Sequence, residues 1–191
     1  CRLISVTQLL LGIDVLTTTE RRTLTPVQGP VGGSVATLPD LLTATAAAHP
    51  DTVAVLDPTP GGTDRTVTYR DLDERSTRLA RVLLDEGIGP ETFVALGIAR
   101  SVDSLVALWA ITKTGAAFVP ADPRYPAERI AFMLDDCGAT VGLTTTAHVA
   151  DLPGTVRWLV LDDPALTGPL AATDPAPITD RDRTVPLRLE H

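Results

Sequence analysis

Phe93-Val94-Ala95-Leu96-Gly97-Ile98, followed by Val102 to Thr114, Ala117-Phe118-Val119, Pro126 to Asp136 and Thr140 to Leu143, is the stretch that decides the fold. The first segment is a nearly unbroken apolar run, the pattern of a strand buried on both faces. Val102 to Thr114 reads as a helix stopped at Gly115, and Ala117 to Val119 as a short strand closed by Pro120. Pro126 sits where a first-turn proline belongs and opens a helix to Asp136, which Gly138 stops. Thr140 to Leu143 returns as a strand. This alternation predicts an α/β protein with a mostly parallel, helix-covered sheet. Such sheets bind ligands outside the carboxyl ends of their strands.

Upstream, Leu38-Pro39 opens a helix to about Ala48, with Leu38, Leu41, Leu42 and Thr45 read as one face. Val53 to Leu56 and Thr66 to Tyr69 are strands around the turn residues Asp57 to Gly62, hence an expected hairpin. Asp71 to Glu86 is a strongly amphipathic helix with Leu72, Leu79, Val82 and Leu83 inward, ended by Gly87 and Gly89-Pro90. Residues 1–36 differ: Thr17 to Glu20 offers a helix start, and Gln28 to Ser34 reads as a flexible linker. Low order is expected over residues 25–36. Downstream, Thr145 to Asp151 reads as a helical turn or two and Arg157 to Leu161 as a last strand. The prolines at 164, 169, 175, 177 and 186 predict an irregular tail.

The chain has 191 residues, 44% of them hydrophobic, which is enough to build a core. Sixteen basic against 24 acidic residues give a net charge of −8, the wrong balance for a nucleic-acid partner. No apolar run reaches a membrane span, and no secretory signal is read, so a cytoplasmic location is expected. Cys1 and Cys137 are too few for a disulfide framework. The absence of an opening methionine, and the close Leu189-Glu190-His191, suggest a piece of a longer protein ending in a tag remnant over 189–191.

The chemistry is sparse. No glycine set matches a phosphate-binding loop. The one lysine, Lys113, stands in Thr112-Lys113-Thr114-Gly115, with the glycine following it; a helix-terminal lysine favoured by the dipole outweighs a phosphate contact. Asp71, Asp73 and Glu74 fit the first turn of a helix for the same electrostatic reason. Asp135-Asp136 ends a helix without a metal-ligand partner, and Asp162-Asp163-Pro164 reads as a turn. Spacing suggests no Ser-His-Asp or Cys-His set. Arginines 70, 75, 78 and 81 share one helix and are expected to pair with nearby acids.

The run Ala107-Leu108-Trp109-Ala110-Ile111-Thr112-Lys113-Thr114-Gly115-Ala116-Ala117-Phe118-Val119-Pro120-Ala121-Asp122-Pro123-Arg124-Tyr125-Pro126-Ala127-Glu128-Arg129-Ile130 resembles the second core motif of amino-acid adenylation domains of nonribosomal peptide synthetases. Thr68, Tyr69 and Leu72 resemble the first core motif. Leu38 to Leu42 and His49 to Val55 resemble the family's opening helix and strand, and Gly12 to Arg22 the segment joining a condensation domain to such a domain. Thr112, Thr114, Phe118, Ala121 and Asp71 depart from the usual residues. The run from Asp122 to Arg129 separates this family from the related acyl-CoA ligases.

The resemblance implies a condensation–adenylation linker over 1–36 and the N-terminal portion of an adenylation domain over 37–188. It implies a parent enzyme that activates an amino acid with ATP and Mg2+ to an aminoacyl-AMP, then loads a carrier-protein phosphopantetheine. The implied partners are the rest of the adenylation domain, an upstream condensation domain and a downstream carrier protein. The family's phosphate loop, specificity pocket and catalytic lysine follow the equivalent of Arg188, so no catalytic, cofactor or metal residue is assigned and the chain alone is expected to be inactive. The motif residues Thr68, Tyr69, Leu72, Lys113, Gly115, Ala116, Pro120, Asp122, Pro123, Tyr125, Pro126 and Arg129 are given structural roles, Tyr125 burying its ring and Arg129 pairing with an acid. An exposed apolar face, of the kind a dimer would cover, is expected. Two other readings stay open: a non-catalytic docking module, which would bind a neighbouring domain without nucleotide, and an independent flavodoxin-like nucleotide-binding domain.

Overall fold

The computed structural model of the chain describes residues 17, 19–20, 36–58 and 64–189. Most of the linker reading over 1–36, the low order expected over 25–35 and the turn at 59–62 lie outside the described residues. The chain divides into two units, Cys1–Val35 and Ala36–His191. In the first, the Thr17 hydroxyl accepts from the Glu20 amide at 3.2 Å and the Glu20 carboxylate accepts from the Thr17 amide at 2.7 Å, a reciprocal helix cap.

The second unit begins with α1 (Leu38–Ala48), capped by Thr37 and Asp40. It buries Pro39, Leu42 and Ala46, while Leu38 and Leu41 are exposed. The expected face was therefore rotated: only Leu42 of the expected set is buried, and the helix turns its i, i+3, i+7 stripe of Pro39, Leu42 and Ala46 inward. β1 (Val53–Asp57) and β2 (Arg65–Thr68) pair antiparallel, with Val55 opposite Val67, as the hairpin reading required. α2 (Tyr69–Asp85) starts on a reciprocal cap between Thr68 and Asp71. Its buried Leu72, Ser76, Leu79, Ala80 and Leu83 form one stripe. Complete burial of Leu79 and Leu83 stabilises the unit by about 2 kcal/mol each.

Four parallel strands follow: β3 (Phe93–Gly97), β4 (Ala117–Pro120), β5 (Val141–Thr144) and β6 (Arg157–Val160), in the order β4-β3-β5-β6. Between β3 and β4 runs α3 (Val102–Thr114), and between β4 and β5 runs α4 (Ala127–Cys137). α3 is buried on nearly every side, which is why its sequence is apolar without a clean stripe. Val94, Val141 and Leu143 pack with Leu79, Leu83, Ala107 and Ile111 in one core. Ala95 packs with Ile130, Leu134, Leu152 and Val156 in a second, against which Trp158 also lies. Helix-covered parallel sheet was the expectation, and it holds.

Gly115 ends α3 at φ 91°, and a side chain there would meet Pro90 Cγ at 2.9 Å. Glycine is needed at that position both for the left-handed backbone and for the space. Pro126 stands one place earlier than expected, as the N-cap of α4 rather than in its first turn.

The irregular tail is the main correction. Pro164–Ala172 is a helix, α5. Asp163 caps it by accepting from the Ala165 amide at 2.8 Å, and Pro164 occupies the first helical position, where its missing N–H costs nothing. Pro169 lies within the helix, which is nine residues long. The three phenylalanines, Phe93, Phe118 and Phe132, are all exposed, so the cores are filled by aliphatic side chains. Among the described residues no helix is long and apolar enough to cross a membrane.

Candidate functional site

Two regions carry the motif residues. The first is the seam between α2 and α3. Lys113, 3% exposed, donates to the Asp73 backbone oxygen, the Asp73 carboxylate and the Thr77 hydroxyl, each at 2.7 Å. Three donors meet three acceptors, so the ammonium is fully occupied within the fold. Burial pushes the Lys113 ammonium below its ordinary value, and Asp73 opposes that shift. The structure thus gives Lys113 a packing role, and neither of the earlier readings named its partner.

Around this seam, Thr68 caps α2, Leu72 is buried and Tyr69 packs partly buried against the same core. Gly115 and Ala116 sit where α3 turns into β4, Ala116 being buried. The arginines pair as expected: Arg70 with Asp51, Arg75 with Asp103, Arg78 with Glu74 and Arg81 with Asp182.

Two of them also hold the tail. Arg78 donates to the Thr173 oxygen, and Arg81 to the oxygens of Asp174 and Ala176. Arg183 returns the grip by donating twice to the Lys113 oxygen, at 3.1 and 2.9 Å. The sequence reading missed this clasp, because its partners are more than 60 residues apart.

Amide and hydroxyl bonds from Thr179, together with Arg81, hold the Asp182 carboxyl down at about 2. An unfolded aspartate takes its proton near 3.8, so this contribution is complete above that pH. It is lost as pH falls towards about 2. We expect residues 173–183 to loosen over that window, with the Asp182 carboxyl titrating near 2 by NMR. A titration near 3.8 would show the clasp open in solution.

The second region runs from Pro120 to Arg129. Asp122 accepts from Arg124 through both carboxylate oxygens, which holds its carboxyl at about 2. Pro120 and Pro126 are exposed and Pro123 half-buried. Tyr125 is 44% exposed, and the Arg129 guanidinium lies 4.9 Å from its ring centroid. The ring is therefore not buried as expected, and Arg129 stacks on it; stacking suits a planar, weakly hydrated cation at the surface.

At the carboxyl end of the sheet, the Thr144 hydroxyl donates to the Gly97 oxygen, and Thr146 donates to Asp162 from its amide and hydroxyl. Asp162 and Asp163 thus serve a loop tie and a helix cap. Among the described residues no group of three His, Cys, Asp or Glu side chains could hold a metal. Lys113 and the four α2 arginines are thus all engaged in ion pairs within the fold.

The family model of AMP-binding enzymes matches residues 42–186, and the chain belongs to that family. Within it, the chain corresponds to the N-terminal part of the adenylation domains of nonribosomal peptide synthetases. It is 42% identical over 154 residues to a dimodular nonribosomal peptide synthase of Bacillus subtilis, covering 80% of this chain and 6% of that one. It is 44% identical over 149 residues to the phosphinothricin tripeptide synthetase PhsB of Streptomyces viridochromogenes, covering 77% and 12%. The solved N-terminal subdomain of Klebsiella oxytoca NpsA superposes with a TM-score of 0.60 at 25% identity, covering 74% of this chain and 34% of that one. The chain thus spans a small part of the relatives it matches. These likenesses favour neither the docking-module nor the flavodoxin-like reading.

Proposed function

We propose that residues 37–188 form the N-terminal portion of an amino-acid adenylation domain, joined by residues 1–36 to an upstream condensation domain. The whole protein activates an amino acid with Mg-ATP. A carboxylate oxygen of the amino acid attacks the α-phosphorus and pyrophosphate leaves; the phosphopantetheine thiol of a downstream carrier protein then attacks the aminoacyl carbonyl, the thioester forms and AMP leaves. The observation that carries this reading is the uninterrupted motif from Lys113 to Arg129, set in a chain 42% and 44% identical to peptide synthetases.

In this reading the motif is architectural. Lys113 locks α2 to α3, Gly115 and Ala116 turn the chain into the sheet, and Asp122 to Arg129 shape the approach to α4. The donors and the cation that stabilise the transferring phosphate come from the rest of the domain. Pyrophosphate exchange into ATP, assayed across the common amino acids, tests both parts. The chain alone is expected to stay at the no-enzyme blank, and the whole adenylation protein to show exchange with one or a few amino acids. Exchange by the chain alone would overturn the assignment of the chemistry to the rest of the domain. A whole protein silent with every amino acid would overturn the function.

A further inference from the structure

We propose that the cavity enclosed by α2, α3, the end of β6 and α5 binds a small monocarboxylic acid with a branched or cyclic hydrocarbon body. This binding site does not depend on the function proposed above.

The cavity measures about 230 Å3. An apolar cavity of about 150 Å3 holds a benzene ring, so this one has room for a six-membered ring and a carboxylate. Parallel sheets take their ligands outside the carboxyl ends of the strands, and the cavity lies there: Leu161 follows directly on β6, and Asp103 and Val106 belong to the first turns of α3. Leu79 and Val106 form a buried floor, and the half-buried Leu161 and Leu170 close the sides. The space stays open because α5 cannot fill it. That helix brings only Thr167, Leu170 and Ala171 to the wall and buries no residue of its own.

The rim carries unspent donors. Arg75 binds Asp103 through Nη2 alone, at 2.7 Å, and makes no other hydrogen bond among the described residues. Arg78 spends Nε on the Thr173 oxygen and Nη2 on Glu74, the latter at 3.3 Å. Nε and Nη1 of Arg75 and Nη1 of Arg78 therefore remain for a ligand. Two guanidiniums against the single Asp103 carboxylate leave the lining with an excess of positive charge. A monocarboxylate neutralises that excess and accepts from the guanidinium forks. A cation would meet the arginines first, and a phosphate would bring a second charge against apolar walls.

A ligand seated there touches α2 and α5 together and holds α5 in place. Thr173 reports on this, since its amide bonds to the Leu170 oxygen and its own oxygen accepts from Arg78.

Cyclohexanecarboxylate is the probe, with cyclohexanecarboxamide as its uncharged counterpart, each added to the 191-residue chain. Methyl NMR should show saturable shifts at Leu79, Val106 and Leu170 with a Kd of about 1 mM, the range for a ligand of about nine non-hydrogen atoms. The amide should bind about 10-fold more weakly or worse. With acid at about ten times its Kd, the Thr173 amide should exchange about 10-fold more slowly, the mass-action effect of a ligand that binds only with α5 in place. Ala171→Phe, at an exposed position on the cavity wall, should fill the space and weaken binding by about 10-fold or more. Absence of saturable shifts at these methyls, equal affinity for acid and amide, or an unslowed Thr173 would each overturn the site. So would undiminished binding by Ala171→Phe. The first three are read on unaltered protein and decide the matter even where the variant does not fold.

Discussion

Gly142→Ala is expected to destabilise the folded unit by about 3 kcal/mol, the sum of overpacking and one lost hydrogen bond. The Trp158 ring lies directly over Gly142 and Gly97. A Cβ at Gly142 would collide with that ring and come within 3.0 Å of the Ala95 Cβ. The neighbouring strand cannot retreat, because β5 is paired on both sides. The ring would have to lift, breaking the 2.8 Å bond from its Nε1 to the Pro153 oxygen. Gly154→Ala is the control: nothing lies within 4 Å of its Cβ position, and a change within about 0.5 kcal/mol is expected. Urea unfolding followed by circular dichroism measures both. A Gly142→Ala loss no larger than the control's would show that the ring is not seated on the sheet.

Lys113→Met should cost a similar amount, about 3 kcal/mol, because removing one partner leaves Asp73 and Thr77 without their donor. Lys113→Arg should not restore the loss, since the cavity is shaped for a compact ammonium. The double variant Lys113→Met, Asp73→Leu should recover about half of it, as an apolar pair avoids the uncompensated charge. The pH dependence gives a second reading. The folded lysine titrates below the unfolded value of 10.5, so more protons are bound unfolded than folded between the two. Stability from this group is complete above 10.5 and is lost as pH falls through the folded value. The native chain should therefore gain stability on the alkaline side, and the Lys113→Met variant should lack that gain. Identical alkaline profiles would mean that the ammonium is solvated.

The alternation of strands and helices was legible because each piece carried its own punctuation: Gly115 after α3, Pro126 before α4 and Gly138 after it. α5 was not, because Pro164 and Pro169 read as breakers. Asp163-Pro164 is equally a cap followed by a first-position proline, and only the packing decides between the two. The face of α1 was misjudged because Leu38, Leu41, Leu42 and Thr45 also fit a helical stripe, next to the one that is buried. The motif residues could be found in the sequence, but their roles could not. Asp73 is 40 residues from Lys113, and the Arg81 and Arg183 contacts span longer distances still. No local pattern reports a partner that far away. Tyr125 looked like an anchor because aromatic rings are usually buried; the adjacent Arg129 gives it a use at the surface.

The arginine clasp has a mechanical consequence. Tension applied at Leu189 would not reach β6 through the chain first. It would meet Arg183 gripping the end of α3, then Asp182, held by Arg81 of α2. Those two helices cover one face of the sheet, so the load spreads into the broadest part of the core instead of peeling off a single strand. The segment from Thr173 to Arg183 therefore acts as a strain relief for load applied at Leu189.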